Sequence, residues 1–127
     1  MRSKAAIYSA ISTLLESMGM SVNNIEQLYL AGGFGNYLDI RSAITIGMLP
    51  DVSASKVQFV GNTSVIGAKM ALLAKDAYDI AGILASKMTY FDLMSNNKYM
   101  EKYMSANFLP HTDIEKFPSV AQELMVS

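Results

Sequence analysis

The chain has 127 residues, enough for one domain that buries roughly two-thirds of the surface its unfolded form exposes, and 51% apolar with 17% charged residues is not the composition of a disordered chain. Ten Lys and Arg against eleven Asp and Glu give a net charge of −1, which leaves no electrostatic surplus for phosphate backbones or acidic lipid and argues against nucleic-acid and membrane partners. The absence of Cys excludes disulfides, thiolate catalysis and cysteine-held metal or iron–sulfur sites within the chain. No apolar run of about 18 residues occurs, and a cytoplasmic protein is expected.

Residues Lys4 to Met18 read as an amphipathic helix, with Ile7, Ile11, Leu14, Leu15 and Met18 on one face and Gly19 as its stop. Cap-type residues Ser21 to Asn24 follow, and Leu28 to Ala31 is a short apolar run that predicts a buried strand before the paired glycines Gly32 and Gly33. Ile40 to Ile46 predicts a short helix stopped by Gly47 and Pro50. A second unit repeats this order: Lys56 to Val60 reads as a strand, Gly61, Asn62 and Thr63 as a turn, and Ile66, Met70 and Leu73 as the start of a helix. Ala77, Ile80, Ala81, Leu84 and Met88 either continue that helix or form a second one after a break near Asp76. Thr89 to Leu93 reads as a last short strand. Asn96 or Asn97 is placed to cap a final helix bearing Tyr99, Met100, Tyr103, Met104 and Phe108, ahead of a tail marked by Pro110 and Pro118.

Two successive strand, glycine turn and helix units imply parallel strands, because such crossovers are right-handed and return the chain in the same direction. Both glycine turns then lie at the carboxyl edge of the sheet, where ligands of open α/β sheets bind and where helix N-termini offer backbone N–H groups to phosphate. Gly32 and Gly33 lack a Cβ and let a ribose or phosphate approach the main chain. Glycine at a strand-to-helix turn also serves backbone geometry alone, so each loop taken singly is as readily structural as functional. Neither a Walker A pattern nor GxGxxG occurs.

The strings YLAGGFGNYLDIRSAITIGMLPD at Tyr29 to Asp51 and VQFVGNTSVIGAKMALLA at Val57 to Ala74, with KAAI at Lys4 to Ile7 and FP at Phe117 and Pro118, resemble the C-terminal ATPase region of reductive activators of corrinoid proteins. These belong to the superfamily of acetate and sugar kinases, heat-shock chaperone ATPases and actin. The resemblance implies an α/β fold: a partial ribonuclease H-like (actin-like ATPase) lobe, a short parallel sheet flanked by helices. It implies that residues 1–127 form a single domain, the C-terminal, nucleotide-facing part of a larger ATPase. It makes Leu30 to Gly35 the adenosine motif and Gly61 to Ala68 the second connecting motif, with Gly67 and Ala68 permitting close helix packing across a hinge. The cofactor-binding residues implied are Gly32, Gly33, Phe34, Gly35, Asn36, Gly61, Asn62 and Thr63, for ATP with Mg in the full-length protein. Phosphate loops, catalytic carboxylates and a two-iron, two-sulfur cluster are implied only for parts preceding Lys4. The whole protein would couple ATP hydrolysis to electron transfer that returns cobalt(II) corrinoid to cobalt(I), with a corrinoid protein and the remaining domains of the parent as partners.

Other residues have plain structural readings. Asp39 and Asp51 sit beside turn or cap positions, where Asp bonds the backbone, rather than forming an acid–base pair. His111, the only histidine, is expected on the surface, and no metal site or catalytic residue is assigned. The Tyr99 to Phe108 stripe reads as a helix docked on the core, with a protein-contact surface as the alternative. Two further functions stand beside the corrinoid reading: a binding or dimerisation module without nucleotide chemistry, and an activator of another low-potential enzyme such as a 2-hydroxyacyl-CoA dehydratase. The chain alone is expected to hydrolyse no ATP. A sheet of so few strands exposes its edges and predicts self-association, a two-fold homo-oligomer by default.

Overall fold

The computed structural model describes residues 1–33 and 37–126. Helix α1 (Arg2–Ser17) leads into strand β1 (Leu28–Ala31), α2 (Ile40–Thr45), strand β2 (Val57–Gly61), α3 (Thr63–Leu73), α4 (Lys75–Lys87), α5 (Asn97–Ser105) and α6 (Pro118–Val126). The two strands pair in parallel, Leu28 opposite Val57 and Leu30 opposite Phe59, and the register slips so that Ala31 stands opposite Gly61. The expected order of strand, turn and helix is therefore present twice. Local chemistry fixes the helix starts: Asp39 Oδ1 accepts the Ser42 N–H at 2.7 Å ahead of α2, Asn62 Oδ1 accepts the Val65 N–H at 3.2 Å ahead of α3, and Asn96 Oδ1 accepts the Lys98 N–H at 3.0 Å ahead of α5. Pro118 opens α6, where its missing N–H costs no helical bond.

The core joins α1, α2 and the tail. Ala5, Tyr8, Ala43, Ile44, Leu49, Ala106, Phe117 and Val120 form one buried cluster, and Leu28, Leu30, Leu38, Ile40, Met48 and Tyr103 pack against it. Gly47 ends α2 with φ +74°, and a Cβ there would lie 2.1 Å from the Pro110 carbonyl oxygen, so the turn after α2 is seated directly on the tail backbone. Asp51 reaches α6, accepting the Ser119 N–H at 2.8 Å and the Ser119 hydroxyl at 2.7 Å, which fulfils its structural reading. From the other side Lys4, only 4% exposed, donates its ammonium to the Phe108 and Pro110 carbonyls.

Four expectations are corrected. The buried face of α1 carries Lys4, Ala5, Tyr8, Ser9 and Thr13, while Ile7, Leu14 and Met18 of the predicted apolar face are exposed. Small residues allow close approach, so the tail and α5 take that side and the large aliphatics face outward. The segment Thr89 to Leu93 forms no strand: no sheet edge receives it, and Asp92 turns the chain by accepting the Met94 N–H and the Ser95 hydroxyl. In the α5 stripe only Tyr99 and Tyr103 turn inward, with ring centroids 6.4 Å apart, while Met100, Met104 and Phe108 are exposed. Tyr103 still packs against the core, and Glu16, which accepts from both Lys98 and Lys102, adds a polar tie between α5 and α1. His111 is buried at 6% exposure between Tyr8 and Phe117, because the chain around Pro110 carries it under α1.

Helices α3 and α4 pack on each other as a hairpin broken at Ala74, which takes extended dihedrals. Neither helix contains a buried residue. Val65, Ile66, Met70, Leu72, Leu73, Ile80, Ile83 and Leu84 are all exposed. No helix among the described residues is long and apolar enough to cross a membrane.

Candidate functional site

The parallel register carries the ends of both strands to one edge. Ala31 lies opposite Gly61, and the Gly32 N–H donates to the Gly61 carbonyl at 2.8 Å, so the two glycine turns that are remote in sequence touch through their main chains. Gly32 has φ +97° and Gly61 φ +67°, values that a Cβ disfavours, so each residue type is set first by the turn it makes. Space is a separate matter. A Cβ built at Gly32, Gly33 or Gly61 would meet nothing within 4 Å, so the strand edge is open above all three. At Gly33 the backbone is not in the left-handed region, and turn geometry does not demand glycine there.

Beyond Gly61, α3 begins at Thr63, and the amides of its first turn have no acceptor within the helix. Asn62 bonds the Val65 N–H, so its carboxamide oxygen is engaged as a cap and is not a free ligand group. The structure thus brings together Gly32, Gly33, Gly61, Asn62 and Thr63; Phe34, Gly35 and Asn36 lie outside the described residues. Tyr37 stands just past that stretch at 92% exposure, an aromatic not singled out from the sequence although its place beside a glycine-rich turn was visible there.

No group of three or more His, Asp or Glu side chains suited to a metal ion occurs among the described residues. Asp39 is held below the usual carboxylate range by its bonds to Ser42, as a cap and not as a base. Two grooves, of about 470 and 440 Å³, are lined by other parts of the chain: the first by Thr13, Glu16, Asn96 and Lys102, the second by Tyr8, Met20, Asp51 and Lys116. Neither is lined by a glycine-turn residue. Glu16 in the first is held down to about 2 by its bonds to Lys102 and Lys98.

Comparison with known proteins agrees with this layout. Residues 1–121 match the family model described as the C-terminal domain of RACo, the ASKHA domain. The corrinoid activation enzyme RamQ of Eubacterium limosum is 36% identical over 101 residues, which are 80% of this chain and 17% of that protein. The [Co(II) methylated amine-specific corrinoid protein] reductase of Methanosarcina barkeri is 35% identical over 89 residues, 70% of this chain and 16% of that protein. A solved reductive activator for corrinoid, iron–sulfur protein superposes with a TM-score of 0.88 at 44% identity, covering 94% of this chain and 19% of that one. The chain therefore spans less than a fifth of the length of each of these relatives. Its fold is α/β, a short parallel sheet with flanking helices, and the chain belongs to the family of RACo C-terminal ASKHA domains.

Proposed function

We propose that this chain is the C-terminal, adenosine-facing part of a larger ATP-dependent reductive activator that returns a cobalt(II) corrinoid protein to cobalt(I). The observation that carries the nucleotide part is the hydrogen bond from Gly32 to Gly61, which sets two glycine turns side by side at an open strand edge. There the main chain of Gly32 and Gly33 can lie against a ribose, while the first-turn amides of α3 and the positive end of its dipole favour a phosphate. Binding and orientation are all that these residues supply. In-line attack on a phosphoryl group needs a metal, a positioned water and phosphate clamps, and those belong to the rest of the protein. A two-iron, two-sulfur cluster does not fit this chain, which contains no Cys to hold one.

The names of the relatives concern corrinoid proteins, which supports that partner over another low-potential enzyme. The exposed α3–α4 hairpin favours a further contact, with the remaining domains of the same polypeptide, since a wide exposed apolar surface marks an interface. Gly33→Val in the full-length protein tests the nucleotide reading. Its Cβ meets open space in the fold, so the thermal midpoint holds while calorimetry shows weakened ATP binding. Unchanged affinity would contradict the proposal.

A further inference from the structure

The tail is clasped to α1 by a cluster that the nucleotide reading does not use. His111 is the one histidine of the chain, and its ring centroid lies 5.4 Å from that of Tyr8 on α1 and 6.3 Å from that of Phe117. Tyr8 and Phe117 close the triangle at 5.3 Å. His111 Nδ1 accepts the Asp113 N–H at 2.9 Å, which puts the ring proton on Nε2 and requires the neutral imidazole. One residue earlier, the Pro110 carbonyl accepts from Lys4, whose buried ammonium is bonded to main-chain oxygens. We propose that His111 makes the docking of the C-terminal tail onto α1 proton-sensitive, the neutral ring holding the clasp and the imidazolium releasing it.

The charged groups around the ring set the sign. From α1 the Lys4 ammonium repels an imidazolium, and Tyr8 stays neutral, its hydroxyl pushed up to about 12 mainly by burial. From the tail Lys116 also repels it, and Asp113 is the group that attracts it. The Asp113 carboxylate is already engaged, accepting the Glu115 N–H at 3.2 Å and facing the Lys116 ammonium at 3.8 Å. Protonation would also place a second donor at Nδ1 against the Asp113 N–H. Burial and these neighbours hold His111 below its ordinary 6.5. The released tail, with a free imidazole, binds the proton more readily, so docking is complete above 6.5 and is lost as pH falls below it. Because Ser119 holds Asp51 and Arg41 pairs with Glu123, the released tail also takes away support from the segment around α2.

Because the chain has one histidine, its imidazole resonances can be followed by NMR in the 127-residue chain without ambiguity. The expected apparent pKa lies below 6.5; a value at or above 6.5 overturns the proposal. Amide exchange across residues 112–126, corrected for intrinsic rates and compared at about pH 5 and about pH 8, reads the docking itself. Protection in the tail is expected to fall at the lower pH, and to stop doing so in His111→Asn, whose side-chain oxygen can still accept the Asp113 N–H but does not titrate. Equal tail protection at both pH values, or the same pH dependence in that variant, sinks the idea. Should the variant fail to fold, the titration of the unaltered chain still decides.

Discussion

Ser9 is fully buried and Leu72 is 86% exposed. The two residues stand for two halves of the molecule that follow opposite logic. Where α1, α2 and the tail meet, small and polar side chains are buried, and most find a local partner, as when the Ser9 hydroxyl donates to the Ala5 carbonyl at 2.7 Å; the Thr13 hydroxyl is the exception among the described residues. Across the α3–α4 hairpin, large aliphatics stay in water because nothing among the described residues covers them, and the strand aliphatics are only half-buried. Hydrophobicity says what a side chain would gain from burial, and only the complete assembly decides whether the gain is realised. The first half is a finished core; the second is an open apolar surface, which the proposed function turns toward the rest of the protein.

Deleting one large side chain from each half separates the halves most sharply. Phe117→Ala, at a fully buried position, is expected to cost about 3–5 kcal/mol in chemical unfolding, whereas Leu72→Ala stays within about 0.5 kcal/mol. Comparable losses would mean that the hairpin is packed in solution. The glycines repeat the contrast at a smaller scale. Gly47→Ala puts a methyl group against the Pro110 carbonyl at a positive φ and should cost about 2–4 kcal/mol, while Gly67→Ala, in open space within α3, should stabilise by about 0.5–1 kcal/mol. If Gly67→Ala destabilises the full-length protein instead, close packing against the remaining domains has been located.

The open half should also show itself in assembly. Sedimentation equilibrium of the chain alone at micromolar concentration is expected to report self-association, reduced by replacing Ile66 and Ile80 with Glu; a stable monomer would show that the open strand edges and the exposed hairpin need no cover. The smallest expected effect lies on the finished side. Glu16 is held down to about 2 by Lys102 and Lys98, a depressed carboxylate, so its contribution is present above 4.5 and disappears as pH falls toward 2. Glu16→Gln should therefore flatten the acid limb of a stability–pH profile slightly, and because the pair is exposed the change is modest.

Elements set by local chemistry were legible in the residues. Asp39 and Asn96 cap helices as their side chains dictate, Gly47 stops α2, and the two strands lie where short apolar runs end in glycine. The α/β class followed from the repeat of those units, and the family from the strings around Gly32 and Gly61. What sequence could not supply was the environment. Periodicity put Ile7, Leu14 and Met18 inside because an apolar face is normally buried, whereas here the tail and α5 pack on the face bearing Ala5, Tyr8 and Ser9. His111 read as a surface residue because nothing in a proline-flanked tail reveals that Lys4 grips the backbone beside it. Thr89 to Leu93 had strand composition, but Asp92 turns the chain within it and the segment pairs with neither strand. At the candidate site, glycine identity was visible, but the direct contact between Gly32 and Gly61 depends on a parallel register that only the folded chain sets.

Residue-resolved hydrogen exchange of the 127-residue chain tests the division between the halves most directly. The division predicts that amides of α1 from Ala5 to Thr13, under the tail, exchange only by near-global unfolding, whereas those of α3 and α4 exchange through local opening at far lower free energy. Equal protection in α1 and in the α3–α4 hairpin would contradict it, and would show that both halves fold as one finished unit.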